Sequence, residues 1–498
     1  MHLFNRDIKK RFTQFDLTLP VLSLVGLFFA LFTLTYSQAE DMGQFLSQTA
    51  LLANGQRLYR DVWEIKDPLF FLISTISTLL IGRIGPYIAD AVAVAASAPI
   101  SYLALRSIRI NKLGSAIGAV FFVGSISGTY FQSFRTGTIC LVVIVLSIVT
   151  INKKKYFLSG VLFALVLMLK MPYIPFLICP IAMAFQNCKS YNFLFRIFAG
   201  SMSTLSIIAG SMLLRGELVG YFQMIQQNFR YQKLYPEIVG FKSGLSGHVA
   251  AVNGSGSSVR ILFFTVFASW LLTLIVGRKE SRTVILSLVL LQISVLIVVL
   301  STTMWVHHLQ MLSLLGFATY ALVASVNWTS SINDARAFVC FLLLLINLQV
   351  TGFRFPINSK QSLATIHSPI WTMPPEVASI NQNLQSSNER VLFARFGPND
   401  DLGLASFLPK TYQLVCNNYA QYGHENIEWI TEIVTCVRDN PDVVFVSSGF
   451  YALSRPTGDY ELLKTEAKKV LEEKFNCIAV ENREGSFLCV RRNSQLEK

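Results

Sequence analysis

Charge is what this 498-residue chain has least of: Asp, Glu, Lys and Arg together make up 14% of it, against about a quarter in a soluble globular domain. Hydrophobic residues reach 52% and the mean hydropathy is +0.49, which excludes an ordinary soluble protein and gives the pattern of a polytopic membrane protein. Acids are scarcer than bases, 29 against 42, for a net charge of +13. The bases flank apolar runs throughout, so they report orientation across a membrane and not nucleic-acid binding. Zinc-ligand spacing is missing among the eight Cys, so no metal site and no cofactor are expected, with a divalent-metal requirement left open.

Two further absences set the domain plan. No long apolar run follows Phe353, so 355–498 is read as a soluble domain and 1–354 as the membrane domain. No small-residue cleavage site follows the first run, Leu17 to Tyr36; acids follow instead, so this run is expected to be a retained helix and not a signal peptide. Its flank of Arg6, Lys9, Lys10 and Arg11 places the N-terminus in the cytoplasm. Crossings are then expected at about 17–36, 87–105, 114–131, 137–152, 156–170, 172–187, 196–214, 260–277, 283–301, 308–325 and 337–353. Their connectors Arg106/Arg109/Lys112, Lys153/Lys154/Lys155, Lys189/Arg196 and Arg278/Lys279/Arg282 fall inside. An odd number of crossings, about eleven, puts the C-terminal domain outside. The expected setting is a multi-pass plasma-membrane protein of a bacterium.

This count holds only if the apolar piece Leu69 to Gly82 does not cross. It is short for a span, with Pro68 before it and Gly82, Gly85 and Pro86 after it, so it reads as a helix along the outer interface. Met42 to Asn54 reads either as a second such helix or as a plain surface helix. Region 37–86 is thus a first external loop, and 215–259 a second. The second carries Tyr221, Phe222, Phe229, Tyr231 and Tyr235 among Arg230 and Lys233, then a Gly/Ser-rich stretch. It is either a lid or a surface linker.

The first external loop concentrates what the rest of the chain lacks. It holds Glu40, Asp41, Arg57, Arg60, Asp61, Lys66 and Asp67 beside hydrocarbon, where a charge is costly unless paired, solvated or in use. An acid after the first helix leads through a helical stretch to NGQRLYRDVWEIKDPL. That arrangement resembles the first external loop of the GT-C membrane glycosyltransferases, in the branch of protein O-mannosyltransferases and aminoarabinose transferases. Gly55, Tyr59, Asp61, Lys66, Pro68 and Leu69 occupy the places of the family motif. The family acidic pair is inverted here, Glu40 before Asp41, and spacing to Gly55 favours Asp41 as the catalytic counterpart. A later Arg-Thr-Asp-like motif is Arg135, Thr136, Gly137 here, so the base is kept and the acid is missing.

The resemblance implies a polyprenyl-phosphate-linked sugar donor and a glycan, lipid or protein acceptor, with membrane lipids around the protein and no nucleic-acid partner. The acceptor hydroxyl must lose a proton as it attacks the anomeric carbon, and one carboxylate suffices because phosphate is a good leaving group. Asp41 is the expected base, with inversion, and Glu40 the second catalytic candidate; the alternative for Asp41 is a helix cap. The leaving phosphate needs cations. Candidates for that and for substrate binding are Lys66, Arg57, Arg60, Arg135, Lys170, His307 and His308, with Asp61 and Tyr59 in the same loop. For Lys170 and Arg135 the other reading is snorkelling to the interface. Two rival functions remain open: a transporter of lipid-linked saccharide, which would need polar groups near the midplane, and a non-catalytic membrane anchor.

The C-terminal domain reads as small α/β. Strands are expected at 390–396, 442–447, 475–481 and 486–491, and helices at 375–384, 426–437 and 460–473. Its last two strands form a hairpin turned at Asn482 to Gly485. Cys477 and Cys489 flank that turn symmetrically, so they either bridge it, with Cys416 and Cys436 as a second pair, or stay free and buried.

Overall fold

The computed structural model describes residues 17–33, 40–60, 62, 66–128, 136–187, 191–234, 289–295, 297–298, 314, 390–394, 413–414, 434–435, 438–439, 441, 443–446, 458–479 and 487–492. The chain forms two compact units. The first takes in Met1–Thr35, Asp90–Ile208 and Phe229–Lys360; the second takes in Tyr36–Ala89, Ala209–Asn228 and Gln361–Lys498.

Helices follow the apolar runs: α1 (Thr18–Thr33), α2 (Glu40–Ala53), α3 (Pro68–Ile81), α4 (Gly85–Ser107), α5 (Lys112–Gly128), α6 (Thr136–Asn152), α7 (Tyr156–Leu169), a 3-10 stretch Met171–Leu177, α8 (Ile178–Asn187), α9 (Asn192–Arg215) and α10 (Leu218–Leu234). Of these, α4 and α9 are long and apolar enough to cross a bilayer by themselves, and the others are shorter apolar helices apart from α2 and α10. Every crossing expected between Leu17 and Arg215 meets a helix; the crossings expected from 260 to 353 lie almost wholly outside the described residues, with residues 289–295 helical.

Burial in the helices is partly inverted relative to a soluble protein: beside a buried apolar core, large apolar side chains face outward and small hydroxyls inward. Leu24, Leu31, Ile207, Leu213 and Leu214 are exposed, whereas Ser97, Ser101, Ser115, Ser147 and Ser159 are buried. Only a hydrocarbon solvent makes that distribution favourable, since helices in lipid associate through small and hydroxyl-bearing faces. The buried hydroxyls satisfy themselves locally: Ser97 Oγ donates to Val94 O at 2.7 Å and Ser147 Oγ to Ile144 O at 2.6 Å. The composition, the helices and this inversion define a polytopic helical membrane protein.

In the first unit, Leu22, Phe29 and Ala30 of α1 share a buried cluster with Val94, Ala98 and Tyr102 of α4 and Ala119 and Val123 of α5. Gly26 lets α1 lie directly on the Ala95 carbonyl. A tight turn joins α4 to α5, with Arg109 at φ 71°, and Asn111 Oδ1 caps α5 by accepting Gly114 N–H at 2.7 Å. A second tight turn, Lys153 to Lys155, joins α6 to α7 through Lys154 at φ 56°. Asn152 Nδ2 donates to Ser107 Oγ at 3.1 Å, which brings these two basic turns to one end of the unit. Opposite the turn, Ser159 Oγ meets Thr150 Oγ1 at 2.8 Å.

The second unit contains the hairpin of α2 and α3 and the C-terminal sheet. Phe45 of α2 meets Phe70 and Phe71 of α3 edge-on, at ring separations of 5.3 and 6.1 Å. The outer face of α3, with Leu72, Ile76, Leu79 and Leu80, is exposed and apolar, as an interfacial helix requires. The sheet holds β1 (Arg390–Ala394), β2 (Gln413–Leu414), β3 (Val443–Val446), β4 (Phe475–Ala479) and β5 (Phe487–Arg491) in the order β2-β1-β3-β5-β4. Pairing is parallel from β2 through β3 and antiparallel from β3 through β4. Helix α11 (Gly458–Lys474) runs straight into β4. The expected hairpin is present as β4 and β5, and Cys477 faces Cys489 across it in a disulfide. The free-thiol reading is therefore corrected for this pair, because directly opposed strand positions bring the two Cβ atoms within bonding reach. Cys416, Cys436 and the helix expected at 375–384 lie outside the described residues.

Candidate functional site

The first loop is built as helix, turn, helix. Helix α2 begins at Glu40 and includes Asp41 in its first turn, so the backbone puts both acids at the N-terminal end, where the helix dipole favours negative charge. Asp41 is four residues before Phe45 and therefore one turn above it on the same helical face; Glu40 is displaced around the axis.

Helix α2 ends where Gly55 takes φ 95°, a conformation that suits glycine. The chain then folds on itself: Val62 N–H donates to Arg57 O at 3.0 Å and Tyr59 N–H to Val62 O at 2.7 Å. Tyr59 itself sits at φ 62°, a left-handed conformation that costs a non-glycine residue about 1 kcal/mol or more. Its surroundings hold it there. The ring is 3% exposed, and the hydroxyl donates to the Lys66 carbonyl at 2.5 Å. Tyr59 thus braces the loop beneath Lys66. Arg57 is half-buried, Arg60 is exposed with Nη1 beside Gly216, and Asp61 lies outside the described residues.

Lys66 ends the turn, with its Nζ 5.9 Å from the centroid of the Phe45 ring, within cation–π range. Asp67 follows as the N-cap of α3, with Pro68 at the first helical position. Its carboxylate does not cap the helix; it accepts a hydrogen bond from Tyr221 of α10. Burial, reinforced by the neighbouring Asp67 charge and this hydrogen bond, pushes the Tyr221 phenol well above its ordinary range. The rings of Tyr59 and Tyr221 lie 5.4 Å apart.

The start of α10 supplies a residue that the sequence reading passed over. Glu217 is buried, accepts Leu58 N–H at 3.0 Å and pairs with Arg215 at 2.9 Å. Arg215 also reaches the Gln56 carbonyl at 3.4 Å. An acid placed between Gly216 and an apolar helix start was the available signal, since an acid there needs a partner.

Lys170 belongs to the first unit. It stands where α7 breaks into the 3-10 stretch, with Nζ 3.3 Å from Tyr173 Oη and 4.5 Å from that ring's centroid. Arg135, His307 and His308 lie outside the described residues. Among the described residues no group of His, Cys, Asp and Glu could hold a metal ion.

Apolar helices, a loop carrying two helices and a mixed five-stranded sheet are the described parts of the chain. Among solved structures, ArnT from Cupriavidus metallidurans bound to undecaprenyl phosphate has a similar fold, with a TM-score of 0.53 at 10% identity over 97% of this chain and 99% of that one. The same ArnT in the apo state gives 0.48 at 10% identity over 94% and 97%. The Archaeoglobus fulgidus oligosaccharyltransferase tethered to an acceptor peptide through a disulfide gives 0.49 at 9% identity over 97% and 75%. No protein-family model matches the sequence, and no curated protein does. The chain thus has a fold similar to that of ArnT, in line with the resemblance of its first loop.

Proposed function

We propose that this chain is a GT-C-type glycosyltransferase that moves a sugar from a polyprenyl-phosphate donor to an acceptor hydroxyl at the extracytoplasmic surface. One observation carries the reading: Lys66 Nζ lies over Phe45, and Asp41 stands one turn before Phe45 on the same helix. The proposed base therefore belongs to the helix whose Phe45 meets the proposed phosphate partner. Asp41 takes the proton of the acceptor hydroxyl as its oxygen attacks the anomeric carbon; the bond from that carbon to the phosphate oxygen breaks, and the configuration inverts. Lys66 neutralises the departing phosphate, which needs charge more than a proton. The helical offset of Glu40 makes it the weaker candidate for the base. Arg57 and Arg60 add positive charge to the loop, and Lys170 and Arg135 extend the set of candidate phosphate partners.

Sidedness has two supports. The Cys477–Cys489 disulfide belongs to an oxidising compartment, and the second unit contains both it and the first loop. The basic turns gathered by the Asn152–Ser107 hydrogen bond suit a cytoplasmic location. The decisive experiment is sugar transfer from polyprenyl-phosphate donors by the purified full chain, wild type against Asp41→Asn. Transfer by the wild type and a loss of at least about a hundredfold in the variant are expected. Undiminished transfer by the folded variant would remove Asp41 as base, and no transfer from any donor would return the transporter reading.

A further inference from the structure

Glu217 stands immediately before α10, its carbonyl accepting Tyr221 N–H at 3.0 Å, and Gly220 and Tyr221 lie in the first turn of that helix. Each meets the first loop at a different point. Glu217 accepts the Leu58 N–H. Gly220 lets the α10 backbone press on Tyr59, where any Cβ would collide with the Tyr59 carbonyl oxygen. Tyr221 donates to the Asp67 carboxylate. The contacts bracket Lys66 on both sides in sequence: Tyr59 holds its carbonyl from one side, and Asp67 is its neighbour on the other.

A carboxylate buried like that of Glu217 carries a desolvation cost, and an apolar residue of similar size would often serve stability as well or better. A buried acid that binds a loop N–H is suited to placement. We infer that Glu217 is a positioning residue which, with Gly220 and Tyr221, fixes Leu58, Tyr59 and Asp67 so that the Lys66 ammonium meets the phosphate of a polyprenyl-phosphate ligand. The inference rests on the proposed use of Lys66 at that phosphate. Nothing is transferred or oxidised; Glu217 acts only through the loop.

The test uses undecaprenyl phosphate as the probe and the full chain in lipid nanodiscs. Affinity is measured for the wild type, Glu217→Ala, Glu217→Gln, Lys66→Ala and the Lys66→Ala/Glu217→Ala double variant, with hydrogen exchange followed in peptides covering 54–67. Glu217→Ala should weaken binding on the order of tenfold and speed exchange in that segment. Glu217→Gln keeps an acceptor for Leu58 N–H and should recover part of the loss. In the Lys66→Ala background the Glu217 substitution should add little, because both act through one ammonium. Unchanged affinity in a folded Glu217→Ala protein, or fully additive losses in the double variant, overturns the inference and leaves the glycosyltransferase reading standing. Failure of the wild type to bind undecaprenyl phosphate strikes the functional reading instead. Should Glu217→Ala not fold, Tyr221→Phe, which breaks only the Asp67 link, reads the same affinity: a tenfold loss supports positioning, and none opposes it.

Discussion

The Leu58 amide donates to Glu217 Oε1 over 3.0 Å, joining positions 159 residues apart. Because Leu58 adjoins Tyr59, and Tyr59 holds the Lys66 carbonyl, the contact ties the N-terminal loop to α10 at the point where Lys66 is set. A loop carrying charge at a lipid surface gains little rigidity from its own short-range bonds, so its geometry has to come from an element packed against it.

Gly220→Ala tests that packing with a sign opposite to the helix rule. In an exposed helix interior, Gly to Ala stabilises by up to about 1 kcal/mol. Here the new methyl would meet the Tyr59 carbonyl and Cβ, so destabilisation of about 1–3 kcal/mol is expected. Thermal unfolding in detergent reads the result, and a higher Tm would contradict the close approach.

Tyr221→Phe should impose a penalty that is flat with pH across the usual range. The folded phenol titrates above its ordinary value because it is buried beside Asp67. A raised folded value means that the hydrogen bond's contribution is complete below the unfolded phenol value, about 10, and fades only as pH rises through the higher folded one. The Tm difference between wild type and variant should therefore hold constant from about pH 6 to about pH 9. A difference that vanishes by pH 8 would mean that the Asp67–Tyr221 bond is not what the variant removes.

How much of this was legible depended on range. The helices through Arg215 could be read because an apolar run is a local signal, and Gly55 because a helix end asks for a left-handed residue. The two-residue strand β2 is too short to leave a pattern. Tyr59 reads in sequence as a motif position of the first loop, and only the fold reveals its hydroxyl on the Lys66 carbonyl. For Glu217 the sequence offers only an acid at an apolar helix start; its partner, 159 positions away, is invisible because no periodicity links such residues.

The crossing of α7 and α9 offers a test within the membrane domain. Gly160 lies against the Ile197 carbonyl and Gly200 against the Phe157 carbonyl, and Ser201 Oγ donates to Gly160 O at 2.9 Å. Backbones so close have no room for a side chain. Gly160→Leu and Gly200→Leu should each reduce folded yield and lower Tm, by an amount corresponding to about 3 kcal/mol or more. Leucine at exposed Ile207 is the control and should change neither.

The Cys477–Cys489 bridge closes a loop of sequence separation 12, so its removal should cost the C-terminal sheet about 2–4 kcal/mol. Cys477→Ser/Cys489→Ser should unfold this domain at lower denaturant concentration while leaving the helices intact by circular dichroism. Thiol labelling of protein from unreduced membranes checks the premise. Full labelling of both cysteines without reductant would place this domain in a reducing compartment and reverse the proposed sidedness.

Lys66 separates a phosphate partner from a structural cation. If the ammonium only rests on Phe45, Lys66→Met, which keeps an unbranched stem over the ring, should transfer sugar at close to the wild-type rate, with a Tm change equivalent to about 1 kcal/mol or less. If it neutralises a departing phosphate, Lys66→Met should lose on the order of a hundredfold in kcat. Lys66→Arg should recover a part of that loss, since a guanidinium keeps the charge but its fork presents it differently from an ammonium. The decisive quantity is the ratio of the kcat loss to the Tm loss across the three proteins. A large kcat loss at nearly unchanged Tm fits only a charge that acts on the reacting group, and parallel losses would assign Lys66 to packing.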